Sequence, residues 1–219
     1  MTPLRCLPGI NELFVEIKSC GASCVSLHQF SEAMGNAVDA KDQNTYQHSQ
    51  HVAVISYLLA LAVGFRPAQA DVIHIAGHLH DIGKIAVPDA VLLKQGKLTE
   101  NEWLTMRKHP ESGAKIVDNI KLFNHPGGIK DMILCHHEKF DGSGYPNQLS
   151  GNQIPIGARI IAVADALSAM IQVRIYRPGR SFAEAINEIL KNSGSQFDPV
   201  IVVALEGQAA TIKSWLDHM

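Results

Sequence analysis

Apolar positions recur along this chain with the spacing of helix faces. Val52, Ile55, Leu58, Leu59 and Ala62 form one stripe, which ends at Gly64, a residue suited to closing a helix. Pro67 suits the first turn of the next helix, which carries Val72, Ile75, Ala76 and Leu79 on one face. Thr99-Glu-Asn-Glu102 has the form of a capping box and predicts a short helix through Arg107. Further helical patterns cover 26–40, 111–120, 129–138, 153–171, 181–191 and 198–215. Alternating strand patterns are scarce. Gly and Pro punctuate three loops, Val87–Gly96, Asn124–Gly128 and Asp141–Pro155. No repeat, low-complexity tract or linker cuts the chain. One all-α domain is the economical reading, with a short extension over residues 1–29 and the domain over 30–219.

Composition narrows the function. The chain has 219 residues, 46% hydrophobic and 18% charged, which excludes disorder, collagen-like repeats and coiled-coil arrays. Its 19 basic and 21 acidic side chains lack the basic excess of a domain that grips a nucleic-acid polymer. No run of about 18 apolar residues occurs, so no membrane span is expected. The N-terminus has no apolar stretch of secretory type, which points to the cytoplasm. Cys6, Cys20, Cys24 and Cys135 match no zinc framework, and free thiols in a reducing compartment are expected.

The 11 histidines raise the question of metals. His80-Asp81 closes a helix and His136-His137 is a second adjacent pair. His109 precedes Pro110, and His48 lies near the start of the Val52–Ala62 helix. Asp165 sits in an otherwise apolar helix, where an isolated carboxylate is costly and demands a partner. These seven residues supply imidazole and carboxylate ligands for two divalent ions. Such mixed ligation suits iron, manganese or zinc better than calcium. His28, His51, His74, His78, His125 and His218 read as ordinary surface or core residues, with His74 and His78 on a solvated helix face.

The ordered motifs His80-Asp-Ile-Gly-Lys84, His109-Pro110, His136-His-Glu138 and Asp141-Gly-Ser-Gly-Tyr-Pro146 resemble those of the HD-GYP domains, a branch of the HD phosphohydrolase superfamily. The stretches Leu92–Glu100 and Ile154–Asp165 are similar as well, so the likeness runs from about residue 30 to about 205. The resemblance implies an HD-type helical bundle enclosing two or three metal ions. It implies a cytoplasmic phosphodiesterase that hydrolyses cyclic di-GMP. His48, His80, Asp81, His109, His136, His137 and Asp165 match the metal ligands, with Asp81 bridging, and Lys84 matches the lysine at the scissile phosphate. Arg174 and Arg177 match the arginines that grip the nucleotide. Two departures stand out: Ile175 replaces a proline, and Leu167-Ser-Ala-Met170 replaces Phe-Asp-Ala-Leu, losing one carboxylate. About 30 residues precede the match, too few for the usual sensor domain. A regulatory protein or a second copy of the chain stays open as partner, as does another cyclic dinucleotide or nucleotide as substrate. A non-catalytic signalling module is disfavoured, because none of the seven ligands is lost.

Chemistry gives these roles content. Two divalent ions about 4 Å apart hold a bridging water and lower its pKa, so that hydroxide attacks phosphorus. Phosphoryl transfer needs charge neutralisation more than covalent chemistry. Lys84 lies one helical turn from His80 and delivers an ammonium to the same cavity. Arg174 and Arg177 offer planar forks for phosphate or guanine edges. Gly142 permits close backbone approach to a ligand, while Tyr145 either stacks on a base or packs the loop down. A third ion would need a carboxylate one helical turn before His48, and Asn44 stands there, so two ions are expected. Asp42, six residues before His48, is expected to point elsewhere.

Overall fold

The computed structural model describes residues 26–42, 47–172 and 179–218. Among these, ten α-helices carry the fold, and the only bridge between extended residues joins Ser193 and Phe197. The first helix, α1 (Leu27–Lys41), starts on a Ser26 capping box. Next come α2 (His48–Ala62) and α3 (Pro67–Leu79), followed by a 3-10 turn over Ile82–Ala86. Short helices α4 (Asp89–Leu92) and α5 (Glu100–Met106) precede α6 (His109–Val117) and α7 (Ile129–Cys135). The chain closes with α8 (Ile156–Ile171), α9 (Phe182–Lys191) and α10 (Pro199–Leu216).

Helix α2 is the axle. Its Val52, Ala53, Ile55, Leu59 and Ala60 are fully excluded from solvent, because α1, α3, α8 and α10 all pack on it. Ile160, Ile161, Ala164 and Leu167 of α8 and Ile201, Leu205 and Ile212 of α10 complete the core. An all-round apolar helix such as α2 is stable only when neighbours cover every face. No helix of the described residues is long and apolar enough to cross a membrane.

The predicted helices appear in order, with shifted ends. The capping box at Thr99 forms as expected, its hydroxyl accepting from the Glu102 amide. Helix α6 begins at His109, two residues early, because Pro110 fits a first turn. Helix α8 begins at Ile156 rather than 153, behind Pro155. The Val87–Gly96 loop contains α4. Two expectations about residues beside these helices fail. Asp42 caps the C-terminus of α1 and is buried, so it turns into the interior instead of away. His78 is 2% exposed, so the face it shares with His74 is packed and not solvated. Helix α2 starts only at His48, after Gln47 in a left-handed conformation, so no helix extends back from His48 to set the register of Asn44. Asn44, Arg174, Arg177 and residues 1–25 lie outside the described residues.

Candidate metal centre

Three imidazoles enter the centre from helix ends by one device. His80 closes α3, His109 opens α6 and His136 closes α7. In each, Nδ1–H donates to the carbonyl three residues upstream. The acceptors are Gly77 at 2.7 Å, Met106 at 2.8 Å and Ile133 at 2.7 Å. Fixing the proton on Nδ1 leaves the Nε2 lone pair to face the cavity. His48, at the start of α2, pairs its Nδ1 with Ser168 Oγ at 2.9 Å.

Asp81 stands between these rings. Its Oδ2 lies 3.3 Å from His80 Nε2 and 2.9 Å from Lys84 Nζ. Its Oδ1 lies 3.1 Å from His109 Nε2 and 3.9 Å from His136 Nε2. The two carboxylate oxygens therefore face different ring groups. Asp165 Oδ1 approaches His48 Nε2 at 3.2 Å and His80 Nε2 at 4.0 Å. Two ligand groups result, His48–His80–Asp81 and Asp81–His109–His136–His137, each with donor atoms within 4.8 Å of one another.

The donor set fits divalent cations. His109 Nε2 lies 3.4 Å from His136 Nε2 and 3.1 Å from His137 Nε2. His109 and His136 carry their protons on Nδ1, so their Nε2 lone pairs repel across 3.4 Å unless a cation sits between them, whereas His137 Nε2–H can donate to His109 Nε2 when no cation is bound. Burial and the neighbouring imidazoles hold His136 well below its usual value, and burial with His109 brings His137 down to about 3. Both are therefore neutral ligands at pH 7. Burial works to raise Asp81 and Asp165, but Lys84 and His80 hold the first well below the carboxylate range, and His48 does the same for the second. Burial opposes a charge on His80, yet Asp81 and Asp165 push it up to about 9, so without a cation its Nε2 carries a proton that a bound cation would displace. A cluster this rich in anionic carboxylate and imidazole attracts positive charge.

The centre opens into a cavity of about 900 Å³ lined by Asp42, Lys84, Leu98, Trp103, Tyr145 and Asp165 among others. That volume suits a ligand of nucleotide size. Gly83 makes the turn behind Asp81 possible, since a Cβ there would meet the His109 carbonyl oxygen at 1.9 Å.

Residues 32–201 match the HD domain family. The chain belongs to that family. Its order of motifs resembles that of the HD-GYP branch. Among curated HD-domain relatives, a Vibrio cholerae protein named 3'3'-cGAMP-specific phosphodiesterase 2 is 40% identical over 172 residues, 78% of this chain and 33% of its own length. A cyclic di-GMP phosphodiesterase of Thermotoga maritima is 36% identical over 178 residues, 81% of this chain and 48% of its own length. The chain thus spans a third to a half of these relatives. Among solved structures, an HDG"Y"P protein of Bdellovibrio bacteriovorus, Bd1817, superposes with a TM-score of 0.61 at 22% identity, over 81% of this chain and 62% of its own. That likeness establishes the shared fold.

Several residues of this HD domain were not singled out from sequence. Asp42 Oδ2 pairs with Lys84 Nζ at 2.8 Å, so the lysine is held between two carboxylates. Buried Asp39 accepts from the amide and hydroxyl of Ser49, both at 2.9 Å, and so pins the first turn of α2 beside His48. Glu138 is buried and accepts from the amides of Asn147 at 2.7 Å and Leu149 at 3.2 Å, which anchors the Gly-Tyr-Pro loop. A Cβ at Gly144 would meet Lys139 N at 2.3 Å, so that loop closes only with glycine. Tyr145 packs downward: its ring stacks on His137 with centroids 4.9 Å apart, and the Arg107 guanidinium lies 4.9 Å from its centroid. Gly142 is not among the residues lining the cavity; its amide closes a turn onto the Lys139 carbonyl at 2.8 Å. Short loops with several carboxylates and amides could have signalled Glu138, but nothing local signals Asp39 or Asp42.

Proposed function

We propose that this chain is a metal-dependent phosphodiesterase that hydrolyses cyclic di-GMP in the cytoplasm. The observation that carries the reading is Asp81, whose Oδ1 and Oδ2 face separate histidine groups while Lys84 stands 2.9 Å away in an open cavity. His48, His80, Asp81 and Asp165 would hold one cation, and Asp81, His109, His136 and His137 the other. Imidazole with carboxylate suits iron or manganese, and zinc is compatible. Two such ions, when bound, supply charge neutralisation to a phosphodiester and acidify water.

The chain's own residues then position the substrate. Lys84 Nζ, held by Asp42 and Asp81, directs an N–H to a non-bridging phosphate oxygen. Asp42 keeps that ammonium in the cavity when no phosphate is present. Tyr145, braced by His137 and Arg107, gives the cavity a rigid wall beside the phosphate. Arg174 and Arg177 are assigned to the nucleotide's phosphate and guanine edges, and Gly142 to shaping the loop behind Tyr145.

The relative named as 3'3'-cGAMP-specific is as similar as those named for cyclic di-GMP, which favours 3'3'-cGAMP as a second reading. The test is turnover by the purified full chain loaded with Mn²⁺ or Fe²⁺, followed by chromatography of cyclic di-GMP and 3'3'-cGAMP in parallel. Faster loss of cyclic di-GMP is expected. Faster loss of 3'3'-cGAMP supports the second reading, and loss of neither in a metal-loaded chain refutes both.

A further inference from the structure

We propose that His28, His74 and His78 form a second metal site, separate from the catalytic centre, that takes a zinc-type divalent cation. His74 and His78 are four apart on α3 and share a face. His28 comes from the first turn of α1 and reaches across to both. The three rings offer nitrogen atoms that all lie within 4.8 Å of one another. His74 Nε2 and His78 Nε2 are 3.2 Å apart. The His28 ring stacks on His74 with centroids 4.8 Å apart and meets His78 edge-on at 5.7 Å.

The cluster shares no residue with either group around Asp81. His78 and His80 are two apart on α3, so their side chains leave the helix about 200° apart and serve opposite sides. A plain N–H···N bond between His74 and His78 would account for only two of the rings. It leaves the buried His78 Nδ1 without a partner among the described residues. Burial, then the nearby His28, brings His74 down to about 4, so its ring is an uncharged donor at pH 7.

Ligand chemistry names the ion. Three imidazoles with no carboxylate in the set favour zinc, copper, nickel or cobalt over magnesium, calcium or manganese. Zinc accepts three protein ligands and leaves its fourth position to water. Such an ion would tie the start of α1 to α3. The other end of α1 carries Asp42 to Lys84, so the clasp would brace the helix that confines the catalytic lysine.

The test uses the untagged full chain dialysed against buffered Zn²⁺, with zinc per chain measured by mass spectrometry. His28→Ala and His74→Ala should each lower the content by one equivalent. His28→Ala, at a half-buried position, serves if the His74 variant folds poorly. In a chain carrying Asp81→Ala, which removes the carboxylate shared by both catalytic groups, one zinc should remain, and adding His74→Ala should remove it. Cu²⁺ loaded into that catalytic-site variant should show nitrogen hyperfine coupling in its electron paramagnetic resonance spectrum. Unchanged zinc content in both His28→Ala and His74→Ala would overturn the site, as would loss of all zinc from the Asp81→Ala chain. Neither readout depends on turnover, so failure of the proposed function leaves this result intact.

Discussion

Replacing Lys84 with Met separates two roles that the geometry assigns to one ammonium. Nζ lies 2.8 Å from Asp42 and 2.9 Å from Asp81, and the three side chains are only 16%, 10% and 8% exposed. Two opposite charges about 4 Å apart attract by roughly 4 kcal/mol at an effective dielectric near 20. Desolvation cancels part of this, but removing one partner of a buried pair still costs about 3–5 kcal/mol. Lys84→Met keeps the stem and deletes the charge. The metal-free chain should therefore lose about 3 kcal/mol, or roughly 6–12 °C in Tm for a chain of this size.

Cation binding should move the other way. Asp81, freed from the ammonium, presents more net negative charge, so the variant should bind Mn²⁺ more tightly, by about tenfold or more. Saturating Mn²⁺ should then restore most of the lost stability, because the ion replaces the missing charge. Turnover should still fall by about two to three orders of magnitude, the usual cost of one transition-state donor. Calorimetric Tm with and without Mn²⁺, a Mn²⁺ titration and single-turnover hydrolysis form the assay. Weaker Mn²⁺ binding in step with lost activity would refute the reasoning, since Lys84 would then be organising Asp81 instead of opposing the cations.

Four further outcomes follow from the same geometry. Asp81→Ala should abolish cation binding at the catalytic centre and turnover together, because it removes the carboxylate shared by both ligand groups; retention of a full complement of ions in metal analysis would contradict this. Asp42→Asn should leave cation content unchanged and alter turnover by about tenfold or less, with Lys84 less confined, as judged by parallel metal analysis and kinetics. Ser168→Ala removes the partner that His48 Nδ1 has among the described residues and should weaken metal affinity by about tenfold, measured by competition with a chelator. Arg174→Ala and Arg177→Ala should mainly raise KM, and an unchanged KM in both would return them to a surface role.

How legible all this was depended on whether a signal was local. Six of the seven candidate ligands stand near helix ends and Asp165 stands alone in an apolar helix, so sequence alone could group them. The Lys84–His80 offset of four likewise put both in one cavity. Asp42 escaped because its direction depends on where α1 stops and α2 starts, and the left-handed Gln47 breaks the register that a continuous helix would set. Ser168 read as a lost carboxylate, although its hydroxyl is well placed to orient His48. His74 and His78 read as a solvated pair because the residue that completes their cluster, His28, sits on another helix. Tyr145 left two alternatives open from sequence; its ring stacks on His137 and also lines the cavity.

The helix ends explain why so many ligands arrive with one geometry. The last carbonyls of an α-helix lack intrahelical partners and need donors from elsewhere. Gly77, Met106 and Ile133 all lie in the final turn of α3, α5 or α7. Each accepts Nδ1–H from a histidine three residues on, which satisfies the carbonyl and fixes the imidazole in the same contact. His80 and His136 are only 0% and 1% exposed, so no water replaces these bonds. One hydrogen bond thus terminates a helix and aims a lone pair. The helices are correspondingly short here, with seven residues each in α5 and α7, since every ligand of this kind must sit within a turn of an end. A bundle of long uninterrupted helices would bury more apolar surface but would offer fewer such carbonyls. The short segments on this side of the domain are therefore the structural condition for a histidine-rich centre, while the long helices α2, α8 and α10 supply the core that holds it in place.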